Sequence, residues 1–395
     1  MANTRTSSTR TSSTRATGAP ARVATPVGDI TGGVDTHRDV HVAAATDTLG
    51  HDLGTHRFPA TTAGHTALLT WLQGFGPVTA VGVEGTGSYG AGLTLHTHGI
   101  TVIEVNRPNR QTRRRTGKSD PADAIAAAAA TLAGKATATP KLRTGPTESV
   151  RVLRAVRDQL VKARTAAINT LHALIVTAPP DLRESLQGLS NTALITHCAA
   201  LPTPAPPAAG LRGAVRTQAA TALATALADS HTAVRLALAQ LAQTIQAHTA
   251  RITELRAATE TLIAAIAPRT MALYGLGPDT TGQLLVTAGD NPDRLRNEAA
   301  FARLAGVAPH DACSGNRDRQ RLSRAGDRQA NAALYRVVVT RLAGQAATRA
   351  YLADRLSPNG GNKKHLIRCL KRYAAREIYP RLMADLAALP ALATT

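Results

Sequence analysis

The spacing of apolar positions changes character twice along this chain. From Ile30 to Val105, short runs rich in valine and alanine alternate with helix-like stretches. Val34, Val40 and Val42 indicate a hairpin, and residues 78–84 and 100–105 read as further extended segments. Between them, residues 61–75 place Leu68, Leu69, Trp71 and Leu72 on one side of a helix. Residues 120–132 form an alanine-rich helix opened by Asp120-Pro121, where proline suits the first turn. The order strand, strand, strand, helix, strand, helix, strand, helix predicts a mixed sheet flanked by helices.

That element order is the one found in ribonuclease-H-like domains. After Pro146 the extended character disappears, and Leu153, Val156, Leu160, Ala163, Ala167, Leu171 and Leu174 recur at spacings of three and four until Pro179-Pro180. A longer stripe follows: Val234, Leu238, Leu241, Ile245, His248, Ile252, Leu255, Thr259, Leu262 and Ile266 alternate four-three over roughly 50 Å of helix. Such a coiled-coil seam needs a partner, and an antiparallel helix of the same chain or a second protomer would each serve. From Tyr274 to Leu389 a third region begins with Gly275-Leu276-Gly277-Pro278 and Thr280 to Thr287. It resembles a helix-hairpin-helix turn, whose helix N-terminus suits a phosphate.

The fold class expected is therefore multidomain, α/β followed by α. Residues 1–28, with Thr-Arg-Thr-Ser-Ser read twice, form a disordered basic tail; residues 29–142 form the α/β domain. Residues 143–268 form a helical coiled-coil region with a proline-rich linker at 201–213, and residues 269–390 form an α-helical domain with the helix-hairpin-helix-like element.

At 395 residues the chain exceeds what one core usually organises, and 43% hydrophobic content excludes wholesale disorder. A net charge of +20 points to a polyanionic partner, with nucleic acid first. Arg317, Arg319, Arg321, Arg324 and Arg328 fall within twelve residues on an expected loop, a surface suited to phosphates. Cys198, Cys313 and Cys369 are far apart, so neither a disulfide framework nor a cysteine zinc module is supported. No apolar run reaches membrane-spanning length, and the N-terminus lacks the apolar stretch of a secretory signal.

Against this basic background four acids stand out. Asp35 follows Gly32-Gly33-Val34 at the first strand, and Glu84 ends the run Val78–Val83. Asp120 and Asp123 lie three apart on one helix face. Two strand ends and a helix presenting four oxygen donors can hold two divalent metals roughly 4 Å apart, as in phosphodiester cleavage. The bland alternative makes Asp120 a helix cap and Asp123 a first-turn dipole partner, and Asp39 competes with Asp35.

Val34-Asp35-Thr36-His37, Val83-Glu84-Gly85-Thr86-Gly87-Ser88-Tyr89 and Lys118-Ser119-Asp120-Pro121-Ala122-Asp123-Ala124 resemble the three acid-bearing blocks of the DEDD-type transposases of the IS-one-ten class of bacterial insertion sequences. Residues 301–309, Cys313-Ser314-Gly315 and Leu322-Ser323-Arg324-Ala325-Gly326-Asp327 resemble the same family's second, transposase domain. The resemblance implies a RuvC-like N-terminal domain whose acids Asp35, Glu84, Asp120 and Asp123 bind magnesium. It also implies that Ser314 is the nucleophile of a covalent serine–DNA intermediate. Lys118, beside the third block, joins the arginines as a nucleic-acid contact. Ser323 competes with Ser314, or else caps a helix before Gly326.

The family resemblance further implies a structured guide, the bridge RNA, that pairs with donor and target DNA, a homo-oligomer (dimer or tetramer), and a bacterial, cytoplasmic, nucleoid-associated setting without membrane. The function expected is an RNA-guided DNA transposase or recombinase. The alternatives are a RuvC-like metal-dependent nuclease without a covalent intermediate and a non-enzymatic basic nucleic-acid-binding protein. The N-terminal tail, the proline-rich insert and Gly85, where alanine is more usual, depart from the family pattern.

Overall fold

The computed structural model describes residues 28–106, 119–311, 320–322, 326–356 and 362–392. The chain divides into two compact units, residues 1–140 and 141–395.

In the first unit the order is β1 (Ile30–Asp35), β2 (Val40–Thr46), β3 (Asp52–Pro59), α1 (Thr62–Gln73), β4 (Val78–Glu84), α2 (Ala91–Thr97), β5 (Thr101–Val105) and α3 (Asp120–Leu132). The strands form one sheet in the order β3-β2-β1-β4-β5. β1–β2 and β2–β3 are antiparallel, whereas β1–β4 and β4–β5 are parallel. Alternation along each strand sends two residue sets to opposite faces. Val34, Ala43, Val81 and Val83 bury one face against Leu68, Leu69 and Leu72 of α1. The other face is stripped of bulk at Gly33 and Gly82, which are register partners. A Cβ on Gly33 would collide with the Ala124 carbonyl, and one on Gly82 with the Ala127 carbonyl and the Thr131 hydroxyl. These glycines let α3 lie directly on β1 and β4. That contact carries its acidic first turn to the strand ends.

The second unit is helical: α4 (Gly145–Val176), α5 (Pro180–Ser185), α6 (Asn191–Ala199), α7 (Gly213–Leu227), α8 (Ser230–Ile266), α9 (Pro268–Met271), α10 (Pro278–Ala288), α11 (Glu298–Leu304), a hairpin of β6 (Pro309–Asp311) and β7 (Gln320–Leu322), then α12 (Arg328–Gly344), α13 (Ala346–Leu356) and α14 (Lys363–Leu392). The stripe on α8 finds its partner within the chain. Leu171, at the end of α4, clusters with Leu238 and Ile245 near the start of α8, whereas Val150, at the start of α4, clusters with Ile263 and Ile266 at the end of α8. The two helices therefore run antiparallel. Every stripe position of α8 is buried or half-buried, but Val156 of α4 is 49% exposed. A strict three-four spacing has a period of 3.5, and a straight helix drifts away from it. The buried face of α4 passes instead through Val150 and Arg154.

The core that holds Ile263 and Ile266 also holds Leu284, Phe301, Leu334, Val337 and Ile378. The two ends of the stretch 143–268 thus pack into the core of 269–390, while its middle forms a separate cluster around Leu171, Leu238 and Ile245. At the helix-hairpin-helix-like turn, the N-terminus of α10 is capped internally: the Gly277 N–H donates to Thr280 Oγ1 at 3.0 Å. Asp279 in the first turn accepts from Arg154 at 3.2 Å and Arg157 at 2.8 Å. The Asp279 carboxylate at this helix start is thus held by two arginines of α4. No helix among the described residues is long and apolar enough to cross a membrane.

Candidate active site

Asp35 and Glu84 are the last residues of β1 and β4 and face each other in parallel register. Neighbouring strands are about 4.8 Å apart and paired residues share a face, so the two carboxylates emerge together. Both are buried, at 6% and 8% exposure. From above, α3 adds Asp120 and the buried Asp123. The cap of α3 is Ser119, whose Oγ accepts from the Ala122 N–H at 3.3 Å, so Asp120 is not the helix cap. Its carboxylate turns instead to His37 Nε2 at 3.4 Å and to Arg57 at 3.5 Å. Asp39 stays outside, exposed and paired with Arg38 at 3.1 Å.

His37 also lies 3.0 Å from Asp35 through Nε2. Asp35, His37 and Asp120 offer ligand atoms within 4.8 Å of one another. Burial pushes the Asp35 carboxyl above its ordinary value; His37 opposes this by charge and hydrogen bond, while Glu84 and Asp123 add to it by repulsion. A set of carboxylate oxygens with one imidazole suits a hard divalent cation, which would relieve this crowding of acids. The residues present therefore fit the metal that the chemistry calls for. The cleft in front of them has a volume of about 580 Å³ and is lined by Asp35, His37, Arg38, Glu84, Tyr89 and Glu104 among others.

Beneath the cleft floor, His41 and His65 stack with ring centroids 5.1 Å apart at 0% and 5% exposure. The backbone N–H of His37 donates to His41 Nδ1 at 3.3 Å. Because Nδ1 accepts, a neutral His41 carries its proton on Nε2 and donates it to His65 Nε2 at 3.1 Å. His65 Nδ1 then donates to Thr94 Oγ1 at 3.2 Å, which donates to the Gly90 carbonyl at 3.1 Å. Burial lowers the pKa of both rings; the repulsion between them adds to this for His41, and the Tyr89 carbonyl pulls each the other way. This one-directional chain joins the loop after Asp35 to the loop after Glu84. A direct tie supports it, from Thr36 Oγ1 to the Glu84 carbonyl at 2.8 Å.

Several residues of this site carried no assignment from sequence. His37 stood in the first motif without a role, and Glu104 was a lone acid in an apolar strand. Arg57 and the His41–His65 pair left no local signal. Arg57 reaches the site only because it aligns with Val42, and Val42 with Asp35, across three strands.

Ser314, Cys313, Arg317, Arg319, Ser323, Arg324 and Lys118 lie outside the described residues. Arg321 lies on β7, paired with His310 of β6, and Arg328 opens α12, so these two are not loop residues. The cap of α12 is Asp327, which accepts from the Gln329 N–H at 2.8 Å and the Ala330 N–H at 3.2 Å, and not Ser323.

An acid-edged α/β unit followed by a helical unit, in a chain of net charge +20, suits a protein that handles nucleic-acid phosphates. Residues 32–180 match the family model of DEDD transposases of IS110, and residues 267–353 match that of the transposase IS116/IS110/IS902 family. The two matches together span well over half of the chain, which belongs to the IS110 family of insertion-sequence transposases. It is a DNA transposase, and DNA is its partner. No curated protein matches the chain.

Proposed function

We propose that this transposase cuts and rejoins DNA through a covalent serine–DNA link, with Ser314 as nucleophile and with Asp35, Glu84, Asp120 and Asp123 around a divalent metal such as Mg²⁺. The observation that carries the reading is the convergence of Asp35 and Glu84, in parallel register, with the first turn of α3. The strand order β3-β2-β1-β4-β5 supports a RuvC-like, ribonuclease-H-like identity for that unit. The antiparallel α4–α8 pair is the counterpart of the coiled-coil region. Ser314 falls inside the matched stretch 267–353, which supports its role in a transposase domain.

In the proposed step, Ser314 Oγ attacks the scissile phosphorus and its proton passes to solvent. The P–O bond to one strand end breaks, and that end leaves as a hydroxyl. A second attack by a strand hydroxyl releases the serine and completes exchange. A cation held by Asp35, Glu84, Asp120 and Asp123 would supply charge neutralisation at the phosphate. Within the chain, His37 and Arg57 orient Asp120, and the histidine chain holds the two acid-bearing loops at a fixed separation. Arg317, Arg319, Arg321, Arg324, Arg328 and Lys118 are the proposed phosphate contacts. A structured guide RNA and a homo-oligomer complete the proposal; the charge of +20 supports a second polyanion beside DNA.

Denaturing gels of end-labelled DNA provide the test: labelled strand should migrate with the protein, and Ser314→Ala should abolish both that species and cleavage while binding persists. Cleavage retained in Ser314→Ala but lost in Ser323→Ala would relocate the nucleophile. Cleavage without any attached species would replace the covalent mechanism with attack by water.

A further inference from the structure

The last helix carries a basic surface to which neither the motifs nor the proposed mechanism gives a role. Between Lys363 and Arg376 the sequence is dense in Lys and Arg and contains no acid. Lys364, Arg368, Arg372 and Arg376 follow one another at i, i+4 and so form a single row along α14. Lys364, Arg368 and Arg376 are exposed, and Arg372 is half-buried and paired with Glu298 of α11. Exposed Tyr373 lies on the same helix.

Behind the row, Lys371 is buried at 7% exposure, and its Nζ donates to Asn331 Oδ1 at 2.7 Å. Asn331 is itself fixed, its Nδ2 donating to the Gly306 carbonyl at 2.8 Å and the Ala305 carbonyl at 3.2 Å. A neutral amide thus receives this buried ammonium, and no ion pair joins Lys371, Lys364, Arg368 or Arg376 to an acid among the described residues. Burial, helped by the neighbouring Arg368, depresses the Lys371 pKa.

Like charges at i, i+4 destabilise a helix, and a solvated surface helix usually interleaves acids to avoid this. Here cations repeat at three successive i, i+4 steps on one row, and Glu298 offsets Arg372 alone. A polyanion would reverse the sign of this repulsion. The row runs from Lys364 to Arg376, twelve steps of 1.5 Å or about 18 Å, which matches about five phosphates at 3.4 Å per strand step of B-form DNA.

We propose that the Lys364–Arg368–Arg372–Arg376 row of α14, backed by Lys371, is a phosphate-contacting surface for duplex DNA. The proposal rests on DNA being the partner and is independent of which residue is the nucleophile.

The test uses the full-length protein with a 30-base-pair duplex, reading equilibrium affinity by fluorescence anisotropy from 50 to 200 mM salt. Removing one phosphate-neutralising cation lowers the slope of log affinity against log salt by about 0.9. Lys364→Gln combined with Arg368→Gln should lower it by about 1.8, so that the parent protein loses about twelvefold more affinity over that range than the variant. Arg376→Gln alone should lower it by about 0.9. Arg381→Gln removes an exposed cation off the row and should leave the slope unchanged. An unchanged slope in both row variants overturns the proposal, as does an equal decrease in Arg381→Gln. A slope change confined to a structured RNA of similar length reassigns the surface to RNA and also overturns it. Binding is read without cleavage, so failure here is distinct from failure of the Ser314 mechanism.

Discussion

Replacing His65 by leucine isolates what the buried histidine chain contributes. The substitution removes the His65 Nε2 acceptor of His41 Nε2–H where His41 is fully buried, leaving the Tyr89 carbonyl as the acceptor beside it, so the penalty of a wholly unsatisfied donor is an upper bound. An unsatisfied buried donor costs about 1–3 kcal/mol. For a unit of this size that corresponds to a fall in melting temperature of about 4–12 °C. His65→Gln keeps an amide oxygen near the position of Nε2 and should recover most of the stability. The chain also anchors the loop after Asp35 through the His37 N–H, so loosening it should raise the metal concentration needed for half-maximal cleavage more than it lowers the rate at saturating metal. Thermal melts of the metal-free protein and Mn²⁺ titration by calorimetry read the two effects separately. If His65→Leu melts with the parent protein, or if His65→Gln is equally damaged, the hydrogen-bond direction derived for this pair is wrong.

Both imidazoles titrate below the ordinary 6.5, so the unfolded chain takes up protons before the folded unit does. Their contribution to stability is complete above about pH 6.5 and is lost as pH falls through the depressed values; denaturant melts between pH 7.5 and 5 should show this limb, flattened in His65→Gln. Asp35 has the opposite sign, because its raised carboxyl destabilises the metal-free fold once ionised. Asp35→Asn should therefore melt higher than the parent without metal, and adding Mg²⁺ should raise the melting temperature of the parent but not of the variant. Leu238→Ala, in the α4–α8 contact at 0% exposure, should cost about 2–5 kcal/mol, whereas the exposed Val156→Ser should stay within about 0.5 kcal/mol. Equal effects of these two in chemical denaturation would mean that α4 presents the other face.

The elements of the first unit were legible because strand alternation and helix periodicity are local properties. Asp35 and Glu84 were legible because each ends a strand-like run, and Asp120 and Asp123 because they lie three apart at the start of an alanine-rich helix, in a chain otherwise rich in cations. The α8 stripe was equally clear, but its partner was not. A heptad pattern records that a face is to be covered and contains nothing about whether the cover comes from the same chain. Val156 shows the limit of the pattern on α4: at the margin of a drifting stripe, packing decides which residue turns inward.

By itself the sequence determined the alternation of strands and helices in the first unit, the positions of Asp35, Glu84, Asp120 and Asp123 at element ends, and an excess of positive charge that calls for a polyanion. Tertiary structure decided that Gly33 and Gly82 bring α3 onto the sheet, that Arg57 and His37 reach Asp120, and that His41 meets His65. It also decided that Lys371 is buried behind a row of cations. Periodicity is written in neighbours a few residues apart. Hydrogen bonds and charge contacts across 24 to 83 residues depend on sheet order and helix docking, which no local stretch encodes.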